Sequence, residues 1–303
     1  MNNIAICIPT YKRQVMLKQL IVSISECSID KSIINNINIV VVDNDADKTA
    51  EIVIQDLKTE NNKMYDLHYH NYAIKGLANV RNELLSKALE FKPDFIIFID
   101  DDEYVTVNWM NELVKTIVNN NADAARGPVL AKITNPVTKG IAKLLEREKH
   151  ENNAQLLLWT TGNLILRRTS LETFNVRFDK RFNSTGSEDT FFGIQIAKKG
   201  ATIFWAANAI TYEIIPKKRT QLKWFIGRAY RGGAMFMFIL KLEKDYLRIA
   251  NKILISFLYI LAGLLTSIFV LFPIKFRYWG ILKLSDGIGA LAGLLNIQYN
   301  EYK

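Results

Sequence analysis

The sequence carries, at Phe95-Ile96-Ile97-Phe98-Ile99-Asp100-Asp101-Asp102-Glu103, five apolar residues that run directly into four acidic ones. The apolar run predicts a strand that is buried on both faces. A buried strand can carry three adjacent carboxylates only at its exposed end. Their charges repel one another there, so each carboxylate raises the pKa of its neighbours. A cation such as Mg²⁺ or Mn²⁺ relieves that repulsion and often shares carboxylate ligands with substrate phosphates. The segment therefore predicts a cation-binding sheet edge, and an acidic surface turn is the alternative.

The residues before this segment alternate between strand and helix patterns. Strands are predicted at residues 4–8, 37–42, 68–72 and 95–99, and helices at 15–24, 49–57 and 78–91. Such alternation predicts an α/β fold with a doubly wound, mostly parallel sheet. The patterns GxGxxG and GxxxxGK[ST] are absent from the sequence, so the dinucleotide-binding and P-loop fingerprints are excluded.

Polar residues follow the other predicted strands as well. Tyr11 follows the first strand, Asp43 the second, and Arg81 lies near the start of the helix after the third. The carboxyl ends of parallel strands share one edge, where α/β sheets bind ligands. Together these residues predict a nucleotide site. In such a site an aromatic ring stacks on the base, a carboxylate accepts hydrogen bonds from the base or ribose, and an arginine and a metal bind the phosphates. The alternatives are a capping role for Tyr11 and a helix-surface position for Arg81, paired with Glu83 or a nearby acid.

Six blocks of sequence resemble, in order, those of family 2 glycosyltransferases with the GT-A fold. The blocks are IAICIPTYKR, VVVDND, KGLANVRNELLSKA, IIFIDDDEYVTVNWM, TGNLILRR and STGSEDTFFG. The resemblance covers roughly residues 2 to 235, a usual size for one α/β domain. The segment WAANAITYEIIPKKRTQLKWFIGRAYRGG is similar to bacterial exopolysaccharide glucosyltransferases of the succinoglycan type.

The resemblance implies a donor site for a nucleotide sugar, most readily a UDP-sugar. Donor contacts are then expected from Pro9, Thr10, Tyr11, Arg13, Asp43, Gly76, Arg81, Asp100 and Asp101. Asp102 is the expected direct ligand of Mg²⁺ or Mn²⁺, with Asp100 on the ribose, on the metal or on a metal-bound water. Asp101 is the middle position of the motif and is expected to tune the local field. The cation would stabilise the charge that grows on the departing nucleoside diphosphate.

The pair Glu188-Asp189 begins a predicted helix after a polar loop. Acidic residues are common at helix starts for electrostatic reasons alone, and Ser187 is a candidate N-cap. The resemblance identifies the pair with the ED motif of the family, whose Asp is the general base. Inverting transfer needs one base to take the proton of the acceptor hydroxyl. Asp189 is therefore the expected base, and Glu188 is expected to hold acceptor hydroxyls or to orient the loop.

The block around Gly162 is expected on the acceptor side. Gly162 would allow close backbone approach to a sugar, Asn163 follows it, and Trp159 would stack on the sugar or else belong to the core. Arg219, Arg228 and Arg231 are expected to contact either the diphosphate or anionic lipids. At the position of Glu213 many relatives carry His, which is sometimes a metal ligand. The sequence therefore does not establish a third metal ligand. The segment TQLKW is one residue short of the QxxRW motif of processive synthases and has Lys for Arg, which argues against processive polymerisation.

The net charge of +9 is located in the C-terminal part of the chain. Residues 216–303 contain 14 Lys and Arg against 4 Asp and Glu, whereas the remainder contains 25 against 26. The same part holds an uncharged apolar run at 253–274, about the length of a membrane crossing, and a second apolar segment at 278–297. Basic residues at both ends of the first run favour a re-entrant or interfacial hairpin over a simple span. A buried hairpin in a soluble protein is the alternative, and the apolar content argues against nucleic acid as a partner.

These observations predict a GT-A domain at residues 1–235 and membrane-associated helices at 236–303. The expected location is the cytoplasmic face of the inner (plasma) membrane. The expected function is inverting, metal-dependent sugar transfer to a lipid-linked glycan in cell-surface or exopolysaccharide synthesis. The alternatives are transfer to a protein or to a polyol-phosphate polymer, and a non-catalytic nucleotide-sugar-binding subunit. Cys7 and Cys27 are expected to be reduced core residues.

Overall fold

The computed structural model describes residues 1–59, 64–146, 148–157, 160–268 and 274–297. The chain divides into two compact units. The first comprises Met1–Lys132 and Arg147–Ile214, and the second comprises Ile133–Glu146 and Ile215–Lys303. The assignment of residues 1–235 and 236–303 to separate functions stays a prediction.

The strands follow the apolar runs of the sequence. They are β1 (Asn2–Thr10), β2 (Ile34–Asp43), β3 (Asp66–Asn71), β4 (Phe95–Phe98), β5 (Glu103–Val105), β6 (Ala124–Arg126), β7 (Val129–Ile133), β8 (Gln155–Leu156), β9 (Leu164–Arg167), β10 (Ile203–Trp205) and β11 (Thr211–Ile215). The helices are α1 (Gln14–Ser25), α2 (Glu51–Thr59), α3 (Leu77–Glu90), α4 (Trp109–Asn119), α5 (Lys139–Leu144), α6 (Arg168–Phe174), α7 (Glu188–Lys198), α8 (Leu222–Leu242), α9 (Tyr246–Ile268) and α10 (Ile274–Leu294). The predicted alternation of strands and helices up to β4 is confirmed.

The main sheet has eight strands in the order β3-β2-β1-β4-β9-β6-β10-β8. Strands β3, β2, β1 and β4 are mutually parallel, and β6 is parallel to β10. Strand β9 runs antiparallel to both β4 and β6, and β8 runs antiparallel to β10. The sheet is therefore mixed. The parallel arrangement predicted from alternation holds up to β4, where strand and helix alternate regularly, and gives way at β9.

The sheet is buried on both faces, as the apolar runs predict. Ile4, Ile6 and Ile8 of β1 pack into the core on one side, whereas Ala5 and Cys7 pack into the core on the other. Full burial of one aliphatic side chain stabilises a fold by about 1.5–3 kcal/mol. Both cysteines are buried free thiols, as expected.

The register of the parallel strands brings the predicted polar residues to one edge. Thr10, the last residue of β1, lies opposite Asp43, the last residue of β2. Cys7 of β1 lies opposite Phe98 of β4, so the acidic turn after β4 begins beside the end of β1. The turn leads into a small sheet of order β5-β11-β7, in which Glu103 of β5 pairs with Glu213 of β11.

The second unit is mainly helical. Helix α10 packs against both α8 and α9. A Cβ atom at Gly233 of α8 would lie 2.1 Å from the carbonyl oxygen of Asp286, so glycine permits the close approach of α8 and α10. Within the described residues one helix, Tyr246–Thr266, is long and apolar enough to cross a membrane. The end of the predicted apolar run, residues 269–273, lies outside the described residues.

Candidate active site

The ends of β1 and β4 are joined by an ion cluster, here called the outer cluster, formed by Thr10, Arg13, Asp101 and Asp102. The hydroxyl of Thr10 donates to Oδ2 of Asp101 at 2.8 Å. Nη1 of Arg13 donates to Oδ1 of Asp101 at 2.8 Å and to Oδ2 of Asp102 at 3.0 Å. The side chain of Arg13 is 41% exposed, whereas those of Asp101 and Asp102 are 5% and 11% exposed. The predicted convergence of the first strand end with the acidic turn is thus present.

Asp101 is the most firmly held carboxylate of the outer cluster. Burial raises its pKa to about 6, the charge of Arg13 opposes this rise, and the charge of Asp102 adds to it. Both of its oxygens accept hydrogen bonds from neighbours on the β1 side. The middle residue of the acidic turn therefore ties the turn to β1, which is more than the field-tuning role expected from its position in the motif.

A second ion cluster, here called the inner cluster, consists of Arg81, Asp100 and Glu188. The guanidinium of Arg81 donates through Nη1 to Oε1 of Glu188 and through Nη2 to Oδ1 of Asp100, the latter at 3.2 Å. Side-chain exposure is 5% for Arg81 and 1% for Glu188, but 40% for Asp100. The alternative of a helix-surface arginine is wrong, because Arg81 is buried and bonds to Asp100 and Glu188.

Glu188 is the buried member of the ED pair. Burial raises its pKa to about 7, the charge of Arg81 opposes the rise, and the charges of Asp189 and Asp100 add to it. Its Oε2 atom is buried and makes no hydrogen bond among the described residues. This burial favours the loop-orienting role over direct contact with acceptor hydroxyls.

Asp189 is partly exposed at the start of α7. Its Oδ1 atom accepts from the backbone N–H of Thr190 at 2.6 Å. Ser187 occupies the N-cap position, but its φ is 73° and its side chain does not bond to the helix. Ser187 is therefore the N-cap residue, as the sequence suggested, but it caps the helix without a side-chain hydrogen bond. The left-handed backbone at Gly186 and Ser187 instead turns the chain sharply before the pair.

Asp43 and Tyr11 differ in their access to solvent. Asp43 is fully buried and accepts from the backbone N–H groups of Asp45 and Ala50 and from the hydroxyl of Tyr69, each at 3.0 Å. Its carboxylate therefore holds the loop after β2. Tyr11 is 47% exposed, and Nζ of its neighbour Lys12 lies 5.6 Å from the centroid of its ring. Their predicted contacts with a base stay predictions.

The helix that carries Arg81 also holds the segment before the ED pair. Gly76 has φ 126°, and a Cβ atom there would lie 2.3 Å from the side chain of Asn183. Oδ1 of Asn183 accepts from the backbone N–H of Asn79 at 3.1 Å. The side-chain amide of Asn82 donates to the carbonyl of Phe178 at 2.8 Å and accepts from its N–H at 2.9 Å. Gly76 thus serves a close approach between two segments of the protein.

The acceptor-side block is mostly internal. Asn163 is fully buried; its Nδ2 donates to the carbonyls of Pro128 and Ala209, and its Oδ1 accepts from Nε1 of Trp109 at 2.7 Å. A Cβ atom at Gly162 would make only ordinary contacts, the nearest at 3.6 Å from Oε1 of Glu103. Trp159 lies outside the described residues. The side chain of Asn163 holds the core together, and the acceptor role of this block stays a prediction.

The chain matches the model of glycosyl transferase family 2 over residues 5–173 and that of glycosyl transferase family group 2 over residues 95–294. The chain belongs to glycosyl transferase family 2. It is 27% identical over 205 residues to the succinoglycan biosynthesis protein ExoM of Rhizobium meliloti (strain 1021), a match that covers 65% of this chain. The match covers 63% of ExoM, slightly less than two thirds of that protein.

Solved structures show the same fold as this family 2 enzyme. S. aureus TarS 1-349 in complex with UDP-GlcNAc has a TM-score of 0.55 at 14% identity, over 100% of this chain and 94% of that one. GalNAc-T7 with UDP, GalNAc and Mn²⁺ has a TM-score of 0.56 at 14% identity, over 78% of this chain and 51% of that one. The fold is therefore GT-A, as expected.

The acidic turn contains carboxylates of the type that hard cations bind. Asp100 and Asp102 flank Asp101 at the sheet edge, and carboxylate oxygens are the ligands that Mg²⁺ and Mn²⁺ prefer. No group of three or more His, Cys, Asp or Glu side chains is arranged to hold a metal within the described residues. Two carboxylates fit a cation that completes its shell with water and substrate phosphates.

Glu103 is a buried acidic residue that sequence reasoning left without a role. It accepts from the hydroxyl of Thr211 at 2.5 Å. Burial, followed by the charge of Asp100, raises its pKa well above the usual range. Its position was visible in the sequence, because Glu103 follows Asp102 directly and begins β5.

The basic residues expected at the diphosphate or at lipid lie in the second unit. The guanidinium of Arg228 is 5.1 Å from the ring centroid of Trp224, and that of Arg219 is 6.0 Å from it. Arg231 follows on α8. Their contacts with diphosphate or lipid stay predictions.

Proposed function

We propose that this glycosyltransferase moves one sugar from a UDP-sugar to a glycan acceptor with inversion of the anomeric configuration. The observation that carries the proposal is the inner cluster. Arg81 bonds to Asp100 of the acidic turn and to Glu188, the neighbour of Asp189. The donor-side carboxylates and the candidate base are thereby held at the same edge of the sheet.

The proposed base is Asp189. It is partly exposed, whereas Glu188 is buried, so Asp189 is the member of the pair that an acceptor hydroxyl can reach. Inverting transfer needs a single base and no carboxylate nucleophile, because the acceptor oxygen attacks the anomeric carbon directly. Glu188 keeps the loop in place through Arg81.

The proposed donor site comprises the outer cluster, Asp100 and the exposed ring of Tyr11. A bound Mg²⁺ or Mn²⁺ would supply stabilisation for the charge on the departing diphosphate. Asp102 and Asp100 would hold it. Arg13 is half-exposed and is able to turn from Asp102 towards the diphosphate. TarS in complex with UDP-GlcNAc and GalNAc-T7 with UDP and Mn²⁺ support this type of donor.

The proposed acceptor is a glycan on a membrane lipid, reached from the cytoplasmic face. The name of the relative ExoM, a succinoglycan biosynthesis protein, supports a role in cell-surface or exopolysaccharide synthesis. Helix α9 supports membrane contact, because one of its faces is apolar and exposed. This face consists of Leu254, Phe257, Leu258, Leu261 and Leu265, which are 49–61% exposed.

One charged pair, Lys252 of α9 and Asp286 of α10, forms between these two helices within the second unit. Nζ of Lys252 bonds to Oδ2 of Asp286 at 2.7 Å, and Nζ of Lys283 lies 4.4 Å from the ring centroid of Tyr259. Charges within a membrane are tolerated when they are paired. The helices therefore present apolar side chains outwards and keep these charges inwards, which suits contact with lipid.

The catalytic proposal is tested by UDP release from UDP-glucose, UDP-galactose and UDP-N-acetylglucosamine, with Mn²⁺ and with EDTA. We expect one donor to be hydrolysed in a Mn²⁺-dependent manner, and UDP to bind more tightly with Mn²⁺ in calorimetry. A rate that EDTA leaves unchanged would contradict the metal assignment. UDP binding without turnover of any donor, even with added membrane lipid extract, would favour the non-catalytic alternative.

The membrane proposal is tested by flotation of the full-length protein with vesicles of phosphatidylcholine and phosphatidylglycerol. Replacing Leu258 and Leu261 by Gln should abolish flotation. Ile52→Gln, at an apolar residue of α2 that is 69% exposed, is the control and should float normally. High salt should not release the wild type, because screening weakens charge attraction but not apolar burial. Flotation of the Leu258→Gln, Leu261→Gln protein at the wild-type level would contradict the proposal.

A further inference from the structure

The first turns of α3 contact the segment that leads to the ED pair at three successive places. Asn82 pairs with the backbone of Phe178, and Asn79 and Gly76 contact Asn183. Arg81 bonds to Glu188 at the end of the segment. The start of α3 therefore holds this segment at three points, Phe178, Asn183 and Glu188.

Arg81 differs from the other contacts because it also reaches the acidic turn. Its two terminal nitrogens bond to two carboxylates from different parts of the chain, Glu188 and Asp100. A guanidinium presents several donors in a rigid planar fork, whereas the ammonium of lysine is a compact charge on a flexible stem. Because the side chain is 5% exposed, the fork is held by the surrounding protein.

We propose that Arg81 is a positioning residue for sugar transfer, which fixes the loop of Asp189 against Asp100, and that it does not bind the nucleotide as the sequence suggested. This inference rests on the proposed function, in which Asp189 is the base. Glu188 and Asp189 are adjacent in the first turn of α7, so an anchor on Glu188 also fixes the backbone of Asp189. A misplacement of a catalytic group by about 1 Å lowers a rate by about 100-fold.

The test compares Arg81→Lys, Arg81→Gln, Glu188→Gln and the double variant Arg81→Gln, Glu188→Gln in the full chain. Lys87→Gln is the matched control, since Lys87 lies on the same helix and pairs with Glu90 at the surface. UDP affinity is measured by calorimetry with Mn²⁺. The kcat and KM are measured by UDP release from the UDP-sugar that the wild type hydrolyses fastest. Hydrogen exchange is followed in peptides that cover residues 178–190.

We expect Arg81→Lys to lower kcat about 10- to 100-fold, to leave the Kd of UDP within about threefold of the wild type, and to speed exchange in residues 183–189. The double variant should be no slower than the slower single variant, because both substitutions break the same contact. Lys87→Gln should match the wild type in all three measurements.

Two outcomes would overturn the inference. A Kd for UDP weakened more than about tenfold in Arg81→Lys, with kcat unchanged at saturating donor, would show that Arg81 contacts the nucleotide. Strictly additive losses in the double variant would show that Arg81 and Glu188 act independently. If Arg81→Gln does not fold, Arg81→Lys, which keeps the positive charge, is used for these measurements instead. If the wild type turns over no donor, the proposed function fails, whereas exchange still reports whether Arg81 holds the loop.

Discussion

The outer and inner clusters use the same chemistry in two environments. In each, one arginine bonds to two carboxylates, yet the side chain of Arg13 is 41% exposed and that of Arg81 is 5% exposed. An exposed ion pair is screened by water and exchanges partners at little cost. A buried ion pair that loses one partner leaves an uncompensated charge in the interior. This difference fits the proposed roles, in which the outer cluster opens for a donor and a cation and the inner cluster holds the proposed base in one arrangement.

The comparison predicts the largest effect for Asp189, the proposed base, which adjoins Glu188 of the inner cluster. Asp189→Asn is nearly isosteric, so the fold and donor binding should survive while kcat falls by about 10²- to 10⁴-fold, the scale of general-base catalysis. UDP release and UDP calorimetry measure the two quantities. Glu172→Gln, at an exposed residue paired with Arg168, is the control and should retain full activity. Loss of UDP affinity in parallel with the rate would place Asp189 on the donor side.

The next effect belongs to the outer cluster. Asp102→Ala should lower turnover by about 100-fold, because a metal ligand contributes several kcal/mol of charge stabilisation. UDP binding should weaken when Mn²⁺ is present and change little when EDTA is present. Calorimetry under both conditions checks this difference. Equal weakening in EDTA would show that Asp102 acts on the donor without a metal.

The outer cluster and the approach of Arg81 to the acidic turn were predictable from sequence, whereas the bond between Arg81 and Glu188 was not. Strands β1, β2 and β4 are apolar runs that end in polar residues, and parallel strands place such ends at one edge. Glu188 lies 107 residues from Arg81 along the chain, and local spacing carries no information on such a contact. The left-handed backbone at Ser187 and the burial of Asn163 likewise depend on tertiary contacts. The antiparallel run of β9 depends on tertiary pairing too.

A third prediction compares the stability of the two arginine variants directly. Arg81→Gln should lower the free energy of unfolding by about 3–5 kcal/mol, the usual cost of removing one partner of a buried ion pair. Arg13→Gln should lower it by less than about 1 kcal/mol, because its guanidinium is half-exposed and screened. Urea unfolding of both variants, with the midpoint and slope fitted together, measures the two losses. Equal losses would mean that exposure does not distinguish the clusters.

The smallest expected effect is a slope of stability with pH that arises from the inner cluster. Burial raises the pKa of Glu188 from 4.5 to about 7, so the folded protein binds a proton that the unfolded chain has released across this range. Stability from this group is therefore fully present below about pH 4.5 and is lost as the pH rises through about 7. Glu188→Gln cannot titrate, so urea midpoints from pH 4.5 to 7.5 should fall less steeply with pH than in the wild type. Arg13→Gln keeps Glu188 and should retain the wild-type slope from this group. A Glu188→Gln slope as steep as that of the wild type would assign the titration to another carboxylate, with Asp101 and its pKa of about 6 the next to test.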